Sequence, residues 1–412
     1  MKSMVFVAAM CLAAAYRVQA LPVTWNEAEL FRMPEVYSAA DYVPGGITNG
    51  VNVAFLEGLP FKGRPTRDFV YWGVPKTSEG TKVPAMVLVH GGGGSAFHRW
   101  VKFWNDRGYA AISMDLCGCV SGNVWGDEMR NHKPHPWMGP GSSCGGFAFV
   151  KEKPEDQWMY HAVGAVARAH TFIRSQPGVD ATRTGLTGVS WGGIVNCVVV
   201  AVDGRFKFAV PVYGCGFLYT DSASWWHRDG AKKGARGRRE IWSPLWDPMN
   251  YLAEAKIPVH WLDGTNDQNF SLPSLTSSYE LVPTAKSLAV RVRMGHSHGA
   301  VSEQAKEVIA LADHYLKGAP ALPVLASTVV KNGTATAAYK ADVRLPVVKG
   351  TLDYTCDDSA WWYSNRWETV SAEVTGGQVR AAVPAGARYY YLNVESANGL
   401  RASTGLVSVP AP

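Results

Sequence analysis

"TRTGLTGVSWGGIVNCVVV", residues 182–200, reads as an apolar strand handing over to an apolar helix through Gly188-Val-Ser-Trp-Gly192. A sharp strand-to-helix turn forces its serine into a strained backbone conformation, and only small residues at 188 and 192 let the two elements approach so closely. G-x-S-x-G is thus the expected form of a nucleophile elbow with Ser190 at its tip. A structural Gly-Ser-Gly turn has the same letters, so the meaning rests on what the rest of the chain supplies.

On either side of this stretch, from about 84 to 317, short apolar runs alternate with longer amphipathic ones. "PAMVLVHGG", "YAAISMDLCG", "FKFAVPVYG", "IPVHWLDG" and "LAVRVRMG" have strand length and end in glycine or turn residues. Between them, "FHRWVKFWNDRG", "DQWMYHAVGAVARAHTFIRSQ", "WGGIVNCVVVAVDG" and "SEQAKEVIALADHYLKG" have helical spacing. This alternation predicts an α/β fold, a mostly parallel sheet with helices on both faces, whose ligands bind at the carboxyl ends of the strands. Residues 21–80 read as leading antiparallel strands, completing a unit over 21–320. After "GAPALP" the texture changes to short alternating strands with Gly, Pro and Asn-Gly turns, which predicts a small all-β sandwich of immunoglobulin-like size over 325–412.

An activated serine needs a base, and the base a carboxylate that fixes its tautomer. "TNDQNF" after "IPVHWLDG" places Asp267 in the loop beyond a strand end, with Asp263 in the strand's final turn as its rival. "HSHG" after "LAVRVRMG" offers His296 at the strand end, and His298 as an alternative base or a substrate-facing residue. The order Ser, Asp, His is the one this elbow requires. The charge that develops on the substrate carbonyl needs backbone N–H donors, worth roughly 3 kcal/mol apiece. "HGGGGSAF" at 90–97 lets the backbone come close, so the donors are expected from Gly92 and from Trp191, with His90 packed beneath the loop. The P-loop lysine and the spaced glycines of a dinucleotide site are both absent.

Taken together, His90–Gly94, Gly188–Gly192, Asp267 and His296 resemble the serine hydrolases of the α/β-hydrolase superfamily. Within it the chain is similar to the dienelactone hydrolase, acetyl xylan esterase and prolyl oligopeptidase branch, a likeness carried also by "SPLWDPMNYLAEAKIPVHWLDGTND" and "MGHSHG". The resemblance implies the α/β-hydrolase fold and a carboxylic ester hydrolase that removes short, acetyl-like groups from carbohydrate esters without cofactor or metal. Feruloyl-type esterase and peptidase activity are its alternatives. The roughly 60 residues between position 20 and the sheet are too few for a propeller of ~40-residue blades, the usual companion of prolyl oligopeptidases. Four consecutive glycines and a doubled histidine depart from the family pattern.

Two insertions, 117–149 and 216–246, follow strand ends and are expected to overhang the site as lids. Their tryptophans, above all Trp137, Trp225 and Trp226, suit stacking against a sugar ring or a phenolic acyl group, or else form the lids' own core. "WWYSNRW" at 361–367 reads as sandwich core, with contact to the catalytic unit as the alternative, and the C-terminal domain as a whole could itself contact carbohydrate.

The remaining inferences concern partners and compartment. Residues 1–20 have one early lysine, a short apolar stretch and a small residue at Ala20, the pattern of a signal peptide. The protein is accordingly expected to be secreted or periplasmic, with no integral membrane segment after cleavage. Export allows disulfides, and Cys117, Cys119 and Cys144 bracket one loop that a bridge could close, whereas Cys197 reads as a buried thiol. The composition, 47% apolar and 18% charged, excludes a disordered chain. The net charge of +6 is dispersed, and its densest stretch, "AKKGARGRRE" at 231–240, is interleaved with Gly and Ala. That is a solvated loop, and no nucleic-acid partner is expected.

Overall fold

The computed structural model describes residues 20–43, 50–121, 133–141, 146–220, 226–227 and 238–409. Residues 1–19, where a signal peptide is expected, Trp225, Cys144 and much of both insertions lie outside them.

Among the described residues the central sheet has eight main strands, with the two-residue strand Val36–Tyr37 added at the outer edge of the first: β1 (Asn52–Glu57), β2 (Arg67–Gly73), β3 (Val83–Val89), β4 (Ala110–Met114), β5 (Val179–Val189), β6 (Phe208–Val212), β7 (Val259–Asn266) and β8 (Lys286–Gly295). Their order is β1-β2-β4-β3-β5-β6-β7-β8; β1 and β2 run antiparallel to their neighbours and the other six are parallel. The leading antiparallel pair and the parallel body follow the sequence reading. Every residue of β3, β4 and β6 is buried, as expected of strands covered on both faces.

The covering helices are α1 (His98–Asn105), α2 (Trp158–Ser175), α3 (Trp191–Val202), α4 (Leu272–Leu281) and α5 (Lys306–Lys317). α3 is apolar all round and buried along its length after Trp191, because it lies between the sheet and other protein. Gly318 in the left-handed region ends α5, where a side chain would be strained. α4 has no counterpart in the sequence reading. Its "SLPSLTSSYEL" looks like a loop, yet the Ser271 hydroxyl caps it and Pro273 lies in its first turn, where the missing N–H costs nothing. Among the described residues no helix is long and apolar enough to cross a membrane.

The C-terminal strands are β9 (Val329–Lys331), β10 (Thr334–Lys340), β11 (Val347–Thr355), β12 (Glu368–Thr375), β13 (Gln378–Ala382), β14 (Tyr389–Ser396) and β15 (Arg401–Ser403). They form a β-sandwich. β12 pairs with β11 through its first half and with β13 through its second, so one strand turns the corner between layers. Ala335, Leu352, Val379 and Leu392 fill the space between. β15 meets the central sheet at Leu288↔Ser403, on edge strand β8. Trp362 and Trp367 belong to the large core of the α/β unit and not to the sandwich core, so "WWYSNRW" realises the alternative reading.

Candidate active site

Strand β5 delivers Ser190 with φ +60° and ψ −117°, its N–H donating to the Val212 carbonyl at 2.8 Å. A Cβ on Gly188 would stand 2.6 Å from the Gly192 carbonyl oxygen, and one on Gly192 2.1 Å from that of Val89. Both positions therefore admit only glycine. Asn196, one turn into α3, fastens the turn: with its amide oriented to suit its neighbours, it accepts from Gly188 N–H at 2.7 Å and donates to the Gly192 carbonyl at 3.0 Å. Nothing in the sequence marks it beyond an asparagine in an apolar helix.

Three side chains separated by up to 106 positions meet here. His296 Nε2 lies 3.0 Å from Ser190 Oγ and His296 Nδ1 2.7 Å from Asp267 Oδ2. Asp267 is an acceptor on every side, its Oδ1 taking N–H bonds from Asn269 at 2.6 Å and Phe270 at 2.9 Å. The tautomer follows: Nδ1 carries the proton towards the carboxylate and Nε2 is left to accept from the serine hydroxyl. Phe270 and Tyr213 flank the His296 ring, with centroids at 5.8 and 4.8 Å.

Asp263 and His298 occupy neighbouring positions but not these. Asp263 remains inside the strand, its Oδ1 accepting its own neighbour's Gly264 N–H at 2.7 Å. His298 stands edge-on to His296, ring centroids 5.9 Å apart, and covers the glycine loop. A Cβ on Gly91 would lie 2.5 Å from His298 Cε1 and 3.1 Å from Ser190 Cβ, so Gly91 is the glycine that close approach demands. Burial pushes the His298 imidazole down to about 4, with the neighbouring His296 adding to the effect, which keeps it neutral.

Gly92 sits inside the turn closed by Gly94 N–H to the Gly91 carbonyl at 3.1 Å, followed by Gly93 at φ +74°. His90 supports this loop from below: it accepts the Leu116 N–H at Nε2 (2.9 Å), so its Nδ1 proton goes to the Gly91 carbonyl (2.7 Å). Trp191 is the first residue of α3, where backbone N–H groups lack intrahelical acceptors.

The Trp191 ring is enclosed by both insertions. Phe147 from the first and Trp226 and Trp242 from the second stand 5.3, 5.1 and 5.9 Å from it. Trp242 Nε1 donates to the Gly146 carbonyl at 2.9 Å, fastening one insertion to the other. Trp226 and Trp242 are buried, as is Trp246, so they form the core of the covering layer, while Trp226 also reaches Phe270 at 6.0 Å. Trp137 lies elsewhere, beneath the Arg67 guanidinium at 4.1 Å and against Tyr42 and Phe55. Cys197 is fully buried, as read, and the loop bridge involving Cys144 falls outside the described residues.

Among the described residues one group, His90, Asp115 and Cys117, has metal-ligand types close together. It is already engaged. The His90 lone pair takes the Leu116 N–H, and Asp115 Oδ2 takes the N–H groups of Cys117 and Cys119 at 2.9 and 2.7 Å. That chemistry fits a hydrogen-bonded turn, not a cation.

Residues 59–220 match the family model of acetyl xylan esterase (AXE1). Among solved structures, an acetyl xylan esterase from Paenibacillus sp. R4 is 19% identical with a TM-score of 0.51, covering 69% of this chain and 88% of that one. Acetyl Xylan Esterase 1 from Thermoanaerobacterium sp. JW/SL YS485 is also 19% identical, with a TM-score of 0.49 and the same coverage. An acylaminoacyl peptidase from Pyrococcus horikoshii is 16% identical with a TM-score of 0.47, over 66% of this chain and 42% of its own. The first of these supports the fold read from the sheet order.

Proposed function

We propose that this chain is a carboxylic ester hydrolase of the α/β-hydrolase superfamily in which Ser190 is the nucleophile, His296 its base and Asp267 the acid that orients the base. The observation that carries this is the unbroken Ser190–His296–Asp267 series of 3.0 and 2.7 Å on a serine held at φ +60°. As Ser190 Oγ attacks the ester carbonyl carbon, its proton passes to His296 Nε2. The negative charge that develops on the carbonyl oxygen is held by N–H groups of Trp191 and Gly92. Collapse of the tetrahedral species breaks the bond to the alcohol, which leaves with the proton from His296. Water then attacks the acyl-enzyme with His296 again as base, releasing the acid and restoring Ser190. Asp267, held by backbone donors, orients His296 and stabilises the imidazolium.

The substrate we assign is a short-acyl ester of a carbohydrate. Support comes from the acetyl xylan esterase match over 59–220 and from the aromatic surroundings of Trp191, Trp226 and Phe270, which suit a small apolar acyl group. Export through the 1–20 leader is part of the same reading. The test is hydrolysis of a chromogenic acetate ester by the mature protein beside Ser190→Ala, with matched circular dichroism. Turnover lost in the variant by roughly four orders of magnitude or more supports the reading. Equal rates in both would overturn it and direct the work to peptide substrates.

A further inference from the structure

We infer that Asp263 is a positioning residue for the active site: a protonated carboxylic acid that donates a hydrogen bond to the Asp267 carboxylate. The inference rests on the roles just proposed for Ser190, His296 and Asp267. Asp263 lies within β7, four residues before Asp267 just past the strand's end, and Asp267 N–H donates back to the Gly264 carbonyl at 3.3 Å, which folds the two acids together. Gly264 makes this fold possible, since a Cβ there would lie 2.0 Å from the Met294 carbonyl oxygen.

The Asp263 side chain is wholly buried. Its Oδ1 takes the Gly264 N–H, while Oδ2 is sealed from solvent and receives no donor from the protein. What the group does meet is the carboxyl of Asp267, within hydrogen-bonding reach. Two ionised carboxylates only accept, so facing each other in a dry interior they need a proton between them. The donors decide which one holds it. Asp267 receives N–H bonds from Asn269 and Phe270 and faces His296 Nδ1, which favours its anion; Asp263 receives one.

The other groups around the pair do not compensate a charge on Asp263. From the end of β6, the Tyr213 hydroxyl and the Cys215 thiol are both held neutral by burial. From β8, Arg291 is paired with Glu307 on α5. Among the described residues no cation pairs with Asp263. Burial, reinforced by the Asp267 charge, accordingly holds its acid well above the usual carboxylate range.

Two effects on His296 follow. The Asp263 proton fixes the Asp267 carboxylate in the plane that His296 needs. It also leaves one negative charge behind the imidazole instead of two, so the base stays neutral to lower pH than it would beside an ionised pair.

Asp263→Asn and Asp263→Ala in the full chain test this through kcat/KM against pH with the acetate ester. In Asp263→Ala, loss of a hydrogen bond to a charged group is expected to lower kcat/KM about tenfold and to move the acid limb upward by about half a pH unit. Asparagine accepts from Gly264 and donates to Asp267 as the protonated acid does, so Asp263→Asn should recover to within about threefold of wild type with the limb restored. A limb that moves down in Asp263→Asn would mean that Asp263 is charged in the wild type. Equal losses in both variants, or an Asp263→Ala profile matching wild type, would reduce the residue to packing; each of these results overturns the inference. Infrared difference spectra of wild type against Asp263→Asn at neutral pH read the proton without turnover. A protonated-carboxyl carbonyl band is expected, and its absence overturns the inference. If the band is present while Ser190→Ala hydrolyses the ester as wild type does, the functional reading fails and the carboxyl pair stands.

Discussion

Ser190 keeps its positive φ because backbone from three directions leaves it no other place: Val212 on β6, Val89 at the end of β3 and the first turn of α3. The strain is therefore held by glycines, and Gly192→Ala should lower stability by about 3 kcal/mol or yield insoluble protein, as urea unfolding or expression yield would show. Asn196→Ala removes the side-chain partner that the Gly188 N–H and the Gly192 carbonyl share in the core. We expect a loss of about 1 kcal/mol in the same assay, with lower kcat. The two histidines should separate in steady-state kinetics. His296→Ala removes the proposed base and is expected to lower kcat by about four orders of magnitude. His298→Ala leaves the Ser190–His296–Asp267 series in place, and a loss of no more than about tenfold is expected for a neutral ring covering Gly91. If the larger loss fell at His298 instead, the assignment of the base would be wrong.

Whole elements were legible where their periodicity was strong. The strands around the elbow and the helices at 158–175, 191–202 and 306–317 follow their apolar spacing, because buried parallel strands and core helices carry dense hydrophobic runs. α4 escaped because its Ser- and Thr-rich surface mimics a loop. β11 and β12 are harder to read: the buried run of β11 at 350–353 is diluted by Gly350, Thr351 and Asp353, and β12 alternates exposed with half-buried residues. The end of β7 joins the two units through one side chain: Asn266 Nδ2 donates to the carbonyls of Tyr363 at 2.7 Å and Asn365 at 3.0 Å. Asn266→Ala should thus cost about 1–2 kcal/mol and lower kcat by loosening the loop that carries Asp267, which thermal melts and kinetics on the same preparation can check.

Across the molecule, the sandwich completes the catalytic unit. β15 pairs with the edge strand β8, and Trp362 and Trp367 extend the large core. A chain ending at residue 320 exposes that edge and the apolar surface beneath the tryptophans, so it should melt lower than the full chain and aggregate on heating. Buried neutral histidines set a second global property. His260, bonded to Ser287 Oγ at 2.7 Å and Tyr315 OH at 2.9 Å, is pushed by burial down to about 3. The unfolded chain takes up this proton near the ordinary value of about 6.5 and the folded chain does not, so the stability it contributes is full above that pH and lost as pH falls towards 3. His260→Gln should make stability fall less steeply between pH 6.5 and 4, by at most about 1.4 kcal/mol per pH unit, read from urea titrations at several pH values.

The sequence by itself determined the fold class, the elbow and the order of the three chemical groups, because local turn chemistry and apolar periodicity act over a few residues. It also narrowed the acid to Asp263 or Asp267 and the base to His296 or His298. Tertiary structure alone brought one member of each pair into the series with Ser190, since two and four positions of spacing say nothing about which side chain turns towards β5. The same holds for the tryptophans. Composition could supply aromatic side chains above the site, but only packing decided that Trp226 and Trp242 close around Trp191 while Trp137 stacks beneath Arg67. The carboxyl pair at Asp263 and Asp267 belongs wholly to the folded state, for only burial turns two ordinary acids into one proton shared between unequal sites.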